Sequence, residues 1–361
     1  MDTIIHTEAS HGWGGQEMRI LTECRWFRAQ GFRCLLLAKG DSPLAEHFRR
    51  EGFDVLPVPF KRGSQLRDFM ACLRIFRKLK PALVATHSNI DSRVALAAAT
   101  AAGVKRRVRY RHVSIPVRTS PWNQVIYRRF ATGVVTTSRS ISDELYRGFK
   151  LRKDAIRSVP TGVVSSPKDH NAHDEIRSRL GLPRNARIIC QVSILRSWKG
   201  HVHLLDAFGL AAAGRPDLHL VIVGDGNMGT ELRKKAGAME VSRRIHFTGH
   251  VEDPYPWFQA ADIMTLASTG GEGVPQSALQ AFACGKPFVG TTVGGIPDIV
   301  RHEVNGLLVP PADPQAMADA FARLLDDDRF AATLGMEAER TFDACGSVDH
   351  MGESLRRFLN L

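Results

Sequence analysis

One loop and the helix after it hold the residue types best suited to chemistry. The stretch Ser268–Pro287 reads as a loop with one acid, Glu272, then a helix, then a Gly-Lys-Pro break into a buried strand. A carboxylate at a helix start can accept hydrogen bonds from sugar hydroxyls, and the free N–H groups of the first helical turn suit a diphosphate. The pattern therefore predicts a site for a ligand that has both groups, a nucleotide sugar.

Two further segments place glycines or cations where predicted strands end. Gly14 and Gly15 lie between the first strand and the first helix, where glycines let the backbone approach an anionic ligand. The alternative for this segment is a plain tight turn. Arg196 and Lys199 follow the first strand of the second half, and two cations there could neutralise a diphosphate leaving group.

The spacing from Glu272 to Gln280 resembles the signature of the family 4 retaining glycosyltransferases, which is a Glu, seven residues and a second Glu. The resemblance covers nearly the whole chain. It implies that Glu272 binds hydroxyls of the donor sugar and that position 280 binds the ribose diol of the nucleotide. Gln280 stands here in place of the second acid and loses charge-assisted hydrogen bonds. Ile194 stands where the family usually has an Arg, so Arg196 would have to substitute.

The same resemblance implies the other site residues. The expected catalytic set is His112, Glu272, Arg196 and Lys199, with His112 near the donor sugar and the leaving phosphate, although a lone histidine is more often structural. Expected donor contacts, besides Gln280, are Gly14, Gly15, Gly224, Val251, Gly273, Val274, Pro275, Gln276, Gly294 and Gly295. Expected acceptor contacts are His87, Asn89 and Asp91.

A repeated strand-helix rhythm predicts parallel α/β units. Predicted strands in the first half include Thr3–Thr7, Leu83–His87 and Arg107–Arg111, and those in the second include Ala186–Ser193, Leu218–Gly224 and Ile263–Ala267. The resemblance implies a GT-B fold, two Rossmann-like parallel-sheet domains that face a central cleft. We place the acceptor-binding domain at residues 1–164 and the donor-binding domain at 165–345, and we expect a last helix within 346–361 to cross back onto the first domain.

Several classes of site and location are disfavoured by what the sequence lacks. The six cysteines are scattered without CxxC or metal-ligand spacing, which favours a reduced, cytoplasmic chain. We find no secretory signal and no stretch of roughly 20 apolar residues that could span a bilayer. The Asp326–Asp328 run reads as solvated charge at a helix end. We therefore expect no cofactor and no essential metal, with Arg196, Lys199 and a helix N-terminus after Gly294–Gly295 in the place of the cation.

Charge is divided unevenly along the chain. Residues 1–160 hold 29 Lys and Arg against 13 Asp and Glu, whereas residues 161–361 hold 20 against 24. The basic half is expected to meet an acidic partner: an anionic inner-membrane face, a phosphorylated acceptor or nucleic acid. Nucleic acid is disfavoured because the basic clusters hold few aromatic side chains for base stacking. The plain alternative is a solvated basic surface.

The expected function follows from the resemblance. It implies a retaining, metal-independent transfer of a sugar, most commonly from a UDP-sugar, to a lipid-linked or lipopolysaccharide-type acceptor by a cytoplasmic protein peripheral to the inner membrane face. Two rival classes stay open at this point. One is a GT-B nucleotide-sugar 2-epimerase, and the other is a nucleic-acid-binding module.

Overall fold

The structure, a computed structural model, describes residues 1–61, 63–112, 114, 117–169 and 171–361. The chain divides into two compact units. Unit 1 comprises Met1–Gly162 with Val348–Leu361, and unit 2 comprises Val163–Ser347. Within the described residues, no helix is long and apolar enough to cross a bilayer.

Unit 1 is built on seven parallel strands. They are β1 (Thr3–Glu8), β2 (Arg33–Ala38), β3 (Asp54–Pro57), β4 (Leu83–Thr86), β5 (Arg106–Arg111), β6 (Gly133–Thr136) and β7 (Ile156–Ser158). The helices are α1 (Gly15–Ala29), α2 (Pro43–Arg50), α3 (Gln65–Leu79), α4 (Asn89–Ala101), α5 (Pro121–Val125), which continues into a π-helical turn, and α6 (Arg139–Phe149). The strand order is β3-β2-β1-β4-β5-β6-β7.

Both faces of this sheet are covered by apolar side chains. Ile4 and Ile5 are neighbours in β1, yet they belong to two different apolar clusters because successive strand residues point to opposite faces. Near-continuous apolar runs such as Cys34–Ala38 suit a parallel strand buried on both sides.

Unit 2 repeats the plan with six parallel strands. They are β8 (Arg187–Val192), β9 (Leu218–Val223), β10 (Ile245–Gly249), β11 (Ile263–Leu266), β12 (Phe288–Thr291) and β13 (Leu307–Val309), in the order β10-β9-β8-β11-β12-β13. The helices are α7 (Ala172–Arg179), α8 (His201–Ala211), α9 (Gly229–Gly237), α10 (Tyr255–Ala260), α11 (Gln276–Ala283), α12 (Pro314–Asp326) and α13 (Asp328–Cys345). The predicted fold class, α/β with two Rossmann-like parallel-sheet domains, is confirmed.

The strand order reverses once in each sheet, and this reversal positions the site residues. β1 lies between β2 and β4, and β8 lies between β9 and β11. The loops that leave neighbouring strands in opposite directions there open a crevice at the carboxyl ends of the strands. The loop with Gly14 and Gly15 follows β1, and the loop with Arg196 and Lys199 follows β8, so each borders such a crevice.

The last helix, α14 (Val348–Leu359), belongs to unit 1. It packs on α1, where Trp26 Nε1 donates to Asp349 Oδ1 at 2.9 Å. The Trp26 ring lies against the backbone of α14 at Gly352, because a Cβ built on that glycine would lie 2.1 Å from Trp26 Cδ2. Met351 and Leu355 complete the buried face of the helix.

Two local predictions need correction, and one strand was missed. The helix expected after Gly294–Gly295 is wrong, since Ile296–Asp298 form only a single 3₁₀ turn. The Asp326–Asp328 run is more than solvated charge, because the Asp327 side chain accepts from the Phe330 N–H at 2.9 Å and so caps α13. The short edge strand β7 was not predicted, since three residues show too little alternation to be recognised.

Helix α8 begins at a buried imidazole that sequence reasoning did not single out. His201 is 2 % exposed, and its Nε2 lies 3.1 Å from Ser193 Oγ. Burial, assisted by the nearby Lys199 charge, lowers the pKa of His201 to about 3. The ring is therefore neutral in the folded protein near pH 6.5, where a free histidine titrates.

The first prediction concerns the pH dependence that this histidine contributes. Below pH 6.5 the unfolded chain protonates His201 but the folded protein does not, so this contribution to stability is lost as the pH falls from 6.5 towards 3. We expect His201→Gln to reduce the dependence of the unfolding free energy on pH in this window by about 1.4 kcal/mol per pH unit. Urea unfolding at several pH values measures this pH dependence. Ser193→Ala removes the hydrogen-bond partner but keeps the ring, so it should retain the wild-type slope. If plots of unfolding free energy against pH are parallel for all three proteins, His201 does not contribute this pH dependence.

The second prediction concerns the contact between α1 and α14. Alanine normally favours a helix over glycine, but at Gly352 the added methyl group would overlap the Trp26 ring. We expect Gly352→Ala to lower the unfolding free energy by about 1–3 kcal/mol. Gly148→Ala in α6 is the matched control, because its nearest neighbour would be Thr119 Cγ2 at 3.6 Å, and it should be neutral or stabilising by up to about 1 kcal/mol. Thermal or urea unfolding measures the change in unfolding free energy. Equal changes in the two variants would refute the contact between Gly352 and Trp26.

Candidate functional site

The site in unit 2 centres on Glu272, in the loop between β11 and α11. The residue is 5 % exposed. Its Oε1 accepts a hydrogen bond from Lys199 Nζ at 2.7 Å and another from Ser268 Oγ at 2.6 Å. Two of the predicted catalytic residues, Glu272 and Lys199, are therefore brought together from loops 73 residues apart. We call Glu272, Lys199 and Ser268 the Glu272 site.

The backbone around Glu272 is fixed by two glycines. Gly294 has φ +56, and a Cβ there would lie 2.2 Å from the Glu272 carbonyl oxygen, so a side chain cannot be accommodated. The Gly295 N–H donates to that same carbonyl at 3.3 Å. In this conformation the Gly295 N–H therefore holds the Glu272 loop and does not point to a free anion site.

A buried glutamine ties the neighbouring loops together, and sequence reasoning missed it. Gln191, at 0 % exposure in β8, accepts from the Ala267 N–H at 3.0 Å and donates to the Lys199 carbonyl at 3.2 Å. It thereby fixes the loop after β8 to the loop after β11. The available signal was a polar residue inside the otherwise apolar run Ile188–Val192, since such groups are usually buried only with partners.

The second predicted cation, Arg196, lies elsewhere in the same loop. Its guanidinium lies 5.1 Å from the centre of the Trp198 ring, a cation–π contact at the surface. The Trp198 carbonyl accepts from the Thr269 N–H at 2.8 Å, and the ring packs on Gly271. Lys199 thus contacts the Glu272 carboxylate, whereas the Arg196 guanidinium contacts the Trp198 ring. Ile194, where the family motif places an Arg, is 42 % exposed.

The predicted nucleotide-side residues lie where three strands end. Gly224 follows β9 with φ +130, and a Cβ there would lie 2.2 Å from the Ser193 carbonyl oxygen. Its N–H donates to the Gly249 carbonyl at 2.9 Å, which ties the end of β9 to β10. Val251 follows two residues after β10 and packs against the apolar core. Only a glycine permits this close approach of the strand ends.

The segment that enters α11 is largely buried. Gly273, Val274 and Pro275 are buried, Pro275 is the residue that precedes the helix, and Gln276 is its first residue. Their backbone therefore forms the helix start beside Glu272, as predicted from the sequence. The positive end of the helix dipole lies at that point.

Gln280 contacts a tyrosine that sequence reasoning did not identify. Burial raises the pKa of Tyr255 to about 12, and a hydrogen bond with the Gln280 side chain opposes that rise. The Tyr255 hydroxyl also donates to the Val164 carbonyl. The amide at position 280 is therefore already engaged, with a neutral phenol as its neighbour.

Unit 1 contains a chain of three imidazole rings, which we call the histidine chain. His6 Nδ1 lies 2.9 Å from His87 Nε2, and His87 Nδ1 lies 2.9 Å from His112 Nε2. Successive rings are nearly parallel, with centroids 5.2 Å apart in each pair. Two predicted site residues, His87 and His112, are thus in direct contact, and His6 was missed although it lies in a strand predicted to be buried.

The histidine chain is neutral. Burial lowers the pKa of His6 to about 3 and holds the pKa values of His87 and His112 well below the usual value for histidine. A neutral imidazole has one N–H donor and one acceptor nitrogen, so both hydrogen bonds must run in the same direction. The tautomer of His112 is consequently set by His87 and His6.

The three predicted acceptor residues differ in exposure. Asp91 is 0 % exposed, and its Oδ2 accepts from Thr7 Oγ1 at 2.6 Å and from the His87 N–H at 3.0 Å. Burial, reinforced by the nearby Glu8 charge, raises the pKa of Asp91 to about 7. Asn89 is exposed and accepts from Arg109 Nη2 at 2.9 Å. In this conformation Asp91 supports the loop, and Asn89 is the member at the surface.

The glycine loop after β1 is anchored by a buried acid. Glu8, at 0 % exposure, accepts from the Ser10 N–H at 2.7 Å and from the side chains of Gln16 and Ser88. Burial raises the pKa of Glu8. Gly14 and Gly15 stand at the start of α1, where the Gly14 carbonyl accepts from the Met18 N–H at 2.9 Å. Glu8 was missed, although an acid at the carboxyl end of the first strand was visible in the sequence.

No group of three or more His, Cys, Asp or Glu side chains that could hold a metal ion occurs among residues 1–61, 63–112, 114, 117–169 and 171–361. Four of the six ring nitrogens of the histidine chain face one another in two pairs.

Two family models match the chain, one in each unit. Residues 13–166 match the family described as Glycosyltransferase Family 4, and residues 186–327 match Glycosyl transferases group 1. The Corynebacterium glutamicum GDP-mannose-dependent monoacylated alpha-(1-6)-phosphatidylinositol monomannoside mannosyltransferase is 34 % identical over 215 residues, which cover 56 % of this chain and 55 % of the relative. The D-inositol 3-phosphate glycosyltransferase of Thermobispora bispora is 34 % identical over 216 residues, 56 % of this chain and 49 % of the relative. The chain thus spans about half the length of these relatives.

The fold has close counterparts among solved structures. HepE of Anabaena, crystallised with UDP, superimposes with a TM-score of 0.86 at 21 % identity, over 100 % of both chains. At that identity the likeness concerns the fold. With that two-domain fold and one glycosyltransferase family match in each unit, the chain belongs to the family 4 glycosyltransferases of GT-B type.

Proposed function

We propose that the protein transfers a hexose from a nucleoside diphosphate sugar, with UDP-sugars first, to a lipid-linked or lipopolysaccharide-type acceptor. The single observation behind this proposal is the Glu272 site, where a buried carboxylate and an ammonium group meet at the start of α11. The names of relatives support it, since two of them describe sugar transfer to inositol-containing acceptors. HepE was crystallised with UDP-glucose as well as UDP, which supports UDP as the first choice of base.

The proposed chemistry divides between the two units. Unit 2 binds the donor through its diphosphate and sugar, and unit 1 binds the acceptor. As the bond between the anomeric carbon and the diphosphate oxygen breaks, Lys199 stabilises the negative charge that grows on the leaving phosphate. Glu272 orients the sugar by accepting from its hydroxyls. The acceptor oxygen bonds to the anomeric carbon on the face the phosphate leaves, and its proton passes to a leaving-phosphate oxygen, so the configuration is retained.

Arg196 and His112 have supporting roles in this proposal. Arg196 is held by Trp198 at the edge of the same loop, from where its long side chain could reach a diphosphate after a rotamer change. His112 presents a neutral ring with a fixed tautomer, which can donate or accept one hydrogen bond but adds no charge. No step requires a metal ion, because Lys199 and the start of α11 supply the positive charge.

The acceptor is proposed to lie at an anionic membrane face on the cytoplasmic side. The support is charge: residues 1–160, nearly all of unit 1, hold 29 basic against 13 acidic side chains. A surface of this sign attracts anionic lipid with a free energy of about 1 kcal/mol per nearby basic residue.

Transfer itself is the third prediction. Incubation with UDP-glucose and a lipid-linked acceptor should release UDP at the same rate with and without a chelator. Among UDP, GDP, ADP and CMP, the matching nucleoside diphosphate at about 100 times its dissociation constant should stabilise the fold by roughly 2.7 kcal/mol, read by thermal shift. Activity that disappears with chelator and returns with a divalent ion would refute the metal-free step.

The rival enzyme class has a separate test. Conversion of the donor alone into an epimer, without an acceptor, would favour the epimerase instead.

The fourth prediction tests residue roles. Glu272→Ala should abolish turnover and Glu272→Gln should lower kcat by about 10²–10³-fold, as expected for the loss of one charged group in a buried site. Gln280→Glu should stay folded and change mainly nucleotide affinity, since position 280 is assigned to the ribose. The matched control is Glu252→Gln, an exposed acid of the same unit. A wild-type rate of sugar transfer by Glu272→Ala would refute the assignment of Glu272 to the donor sugar.

Docking on anionic lipid is the fifth prediction. Flotation should recover the protein with vesicles that contain phosphatidylglycerol at low salt, and less at high salt, because exposed charges act only within a Debye length. Equal recovery with neutral phosphatidylcholine vesicles, or none with either, would contradict this part of the proposal. The transfer assay with a soluble acceptor analogue is independent of that outcome.

A further inference from the structure

Unit 1 has a cavity that is lined by none of the predicted donor-site or acceptor-site residues. It has a volume of about 640 Å³ and lies at the free edge of the sheet, where β7 pairs only with β6. Helix α6 borders it on one side and α14 on the other. The lining residues are Arg139, Ser142, Asp143, Tyr146, Lys153, Ile156, Arg157, Ser158, His350, Ser354 and Arg357. We call this cavity the β7 pocket.

The lining is strongly basic. Among the described lining residues there are four Lys or Arg side chains and one carboxylate, that of Asp143. Within the described residues, Lys153, Arg157 and Arg357 take part in no ion pair of 4.0 Å or less. The acid next to Lys153 in the sequence is Asp154, and its carboxylate lies 3.4 Å from the Arg152 guanidinium instead. Cations that converge on one cavity repel one another, and a bound anion would relieve that repulsion.

The other polar groups of the β7 pocket are hydroxyls. Ser142, Ser158, Ser354 and Tyr146 can each donate an O–H, and the arginines donate in forked pairs. A phosphoryl group has three acceptor oxygens and matches this combination of charge and donors better than chloride or a single carboxylate. The hydroxyls also suit a polyol, since each can accept a hydrogen bond as well as donate one. Among the described residues of the lining, Ile156 is the one aliphatic side chain, so an acyl chain would find little apolar surface there.

We propose that the β7 pocket binds the phosphate ester of a small polyol, either as a soluble metabolite or as a phospholipid headgroup. Arg157 and Arg357 hold the phosphoryl oxygens, and the three serines hold polyol hydroxyls. The site lies on elements that the donor and acceptor assignments leave unused: strand β7, helix α6 and helix α14. This inference goes beyond the proposed transfer and does not depend on it.

Binding of two probes to the full-length protein tests the proposal and separates the two sources. The soluble probe is sn-glycerol 3-phosphate, measured by calorimetry at physiological salt. The lipid probe is phosphatidylcholine vesicles that contain phosphatidylglycerol, whose headgroup is a glycerol phosphate ester with free hydroxyls, measured by flotation at physiological salt. Binding of the first identifies a soluble ligand, and binding of the second alone identifies a headgroup.

The decisive variant is Arg157→Gln/Arg357→Gln, which should weaken whichever probe binds by at least about tenfold, since one charge-assisted hydrogen bond is worth that factor. The matched control is Arg74→Gln/Arg77→Gln on α3, two exposed arginines of the same unit without an ion pair within the described residues. This control should stay within about twofold of wild type for the soluble probe.

Two outcomes would overturn the proposal. They are equal losses in the two arginine pairs, which indicate diffuse electrostatics, and no binding of either probe.

A measurement on the wild-type protein is independent of any folding defect. The Lys153 ammonium lies in the pocket lining, whereas Lys150 at the end of α6 does not. The bound probe should therefore slow acetylation of Lys153 several-fold relative to Lys150, read by peptide mass spectrometry. Equal labelling of both lysines at saturating probe would count against the site.

Discussion

The contact between the Glu272 carboxylate and the Lys199 ammonium group is the interaction on which the Glu272 site depends. Their side chains are 7 % and 15 % exposed, so each charge has lost most of its water and would be costly without the other. The pair can form only if the loops after β8 and β11 approach closely. Gly200 permits that approach, because a Cβ there would lie 1.7 Å from the Ala267 carbonyl oxygen. Gln191 and Gly294 then fix the two loops in place.

The polar centre of unit 1 follows the opposite electrostatic strategy. The histidine chain stays uncharged because burial disfavours the protonated imidazoles, and Asp91 has a pKa near 7 for the corresponding reason. Thr7, Arg109 and backbone groups satisfy most of the buried atoms. Unit 2 thus presents a fixed ion pair and unit 1 a neutral, directional hydrogen-bond chain. In the proposed reaction a leaving phosphate needs charge and an acceptor hydroxyl needs orientation, which are the separate tasks proposed for the two centres.

Sequence reasoning located most of the elements but not their exact contacts. The strand-helix rhythm predicted the parallel sheets because apolar runs between glycine turns are a local signal. It failed at the 3₁₀ turn after Gly295 and at β7, where only three or so residues define the element. Glu8, Gln191 and Tyr255 were overlooked for another reason. Each looks ordinary along the chain, and its importance comes from partners 80, 76 and 91 residues away.

The sequence by itself determined the two-domain plan, the glycines at the strand ends and the acid at the start of α11, because each depends on neighbours along the chain. Only the tertiary structure decided which cation meets that acid. Arg196 and Lys199 are three residues apart in one loop, and both were expected at the leaving group. The fold turns Lys199 towards Glu272 and stacks Arg196 on Trp198. That choice follows from the adjacency of β8 and β11 in the sheet, which brings distant loops together and which no local pattern specifies.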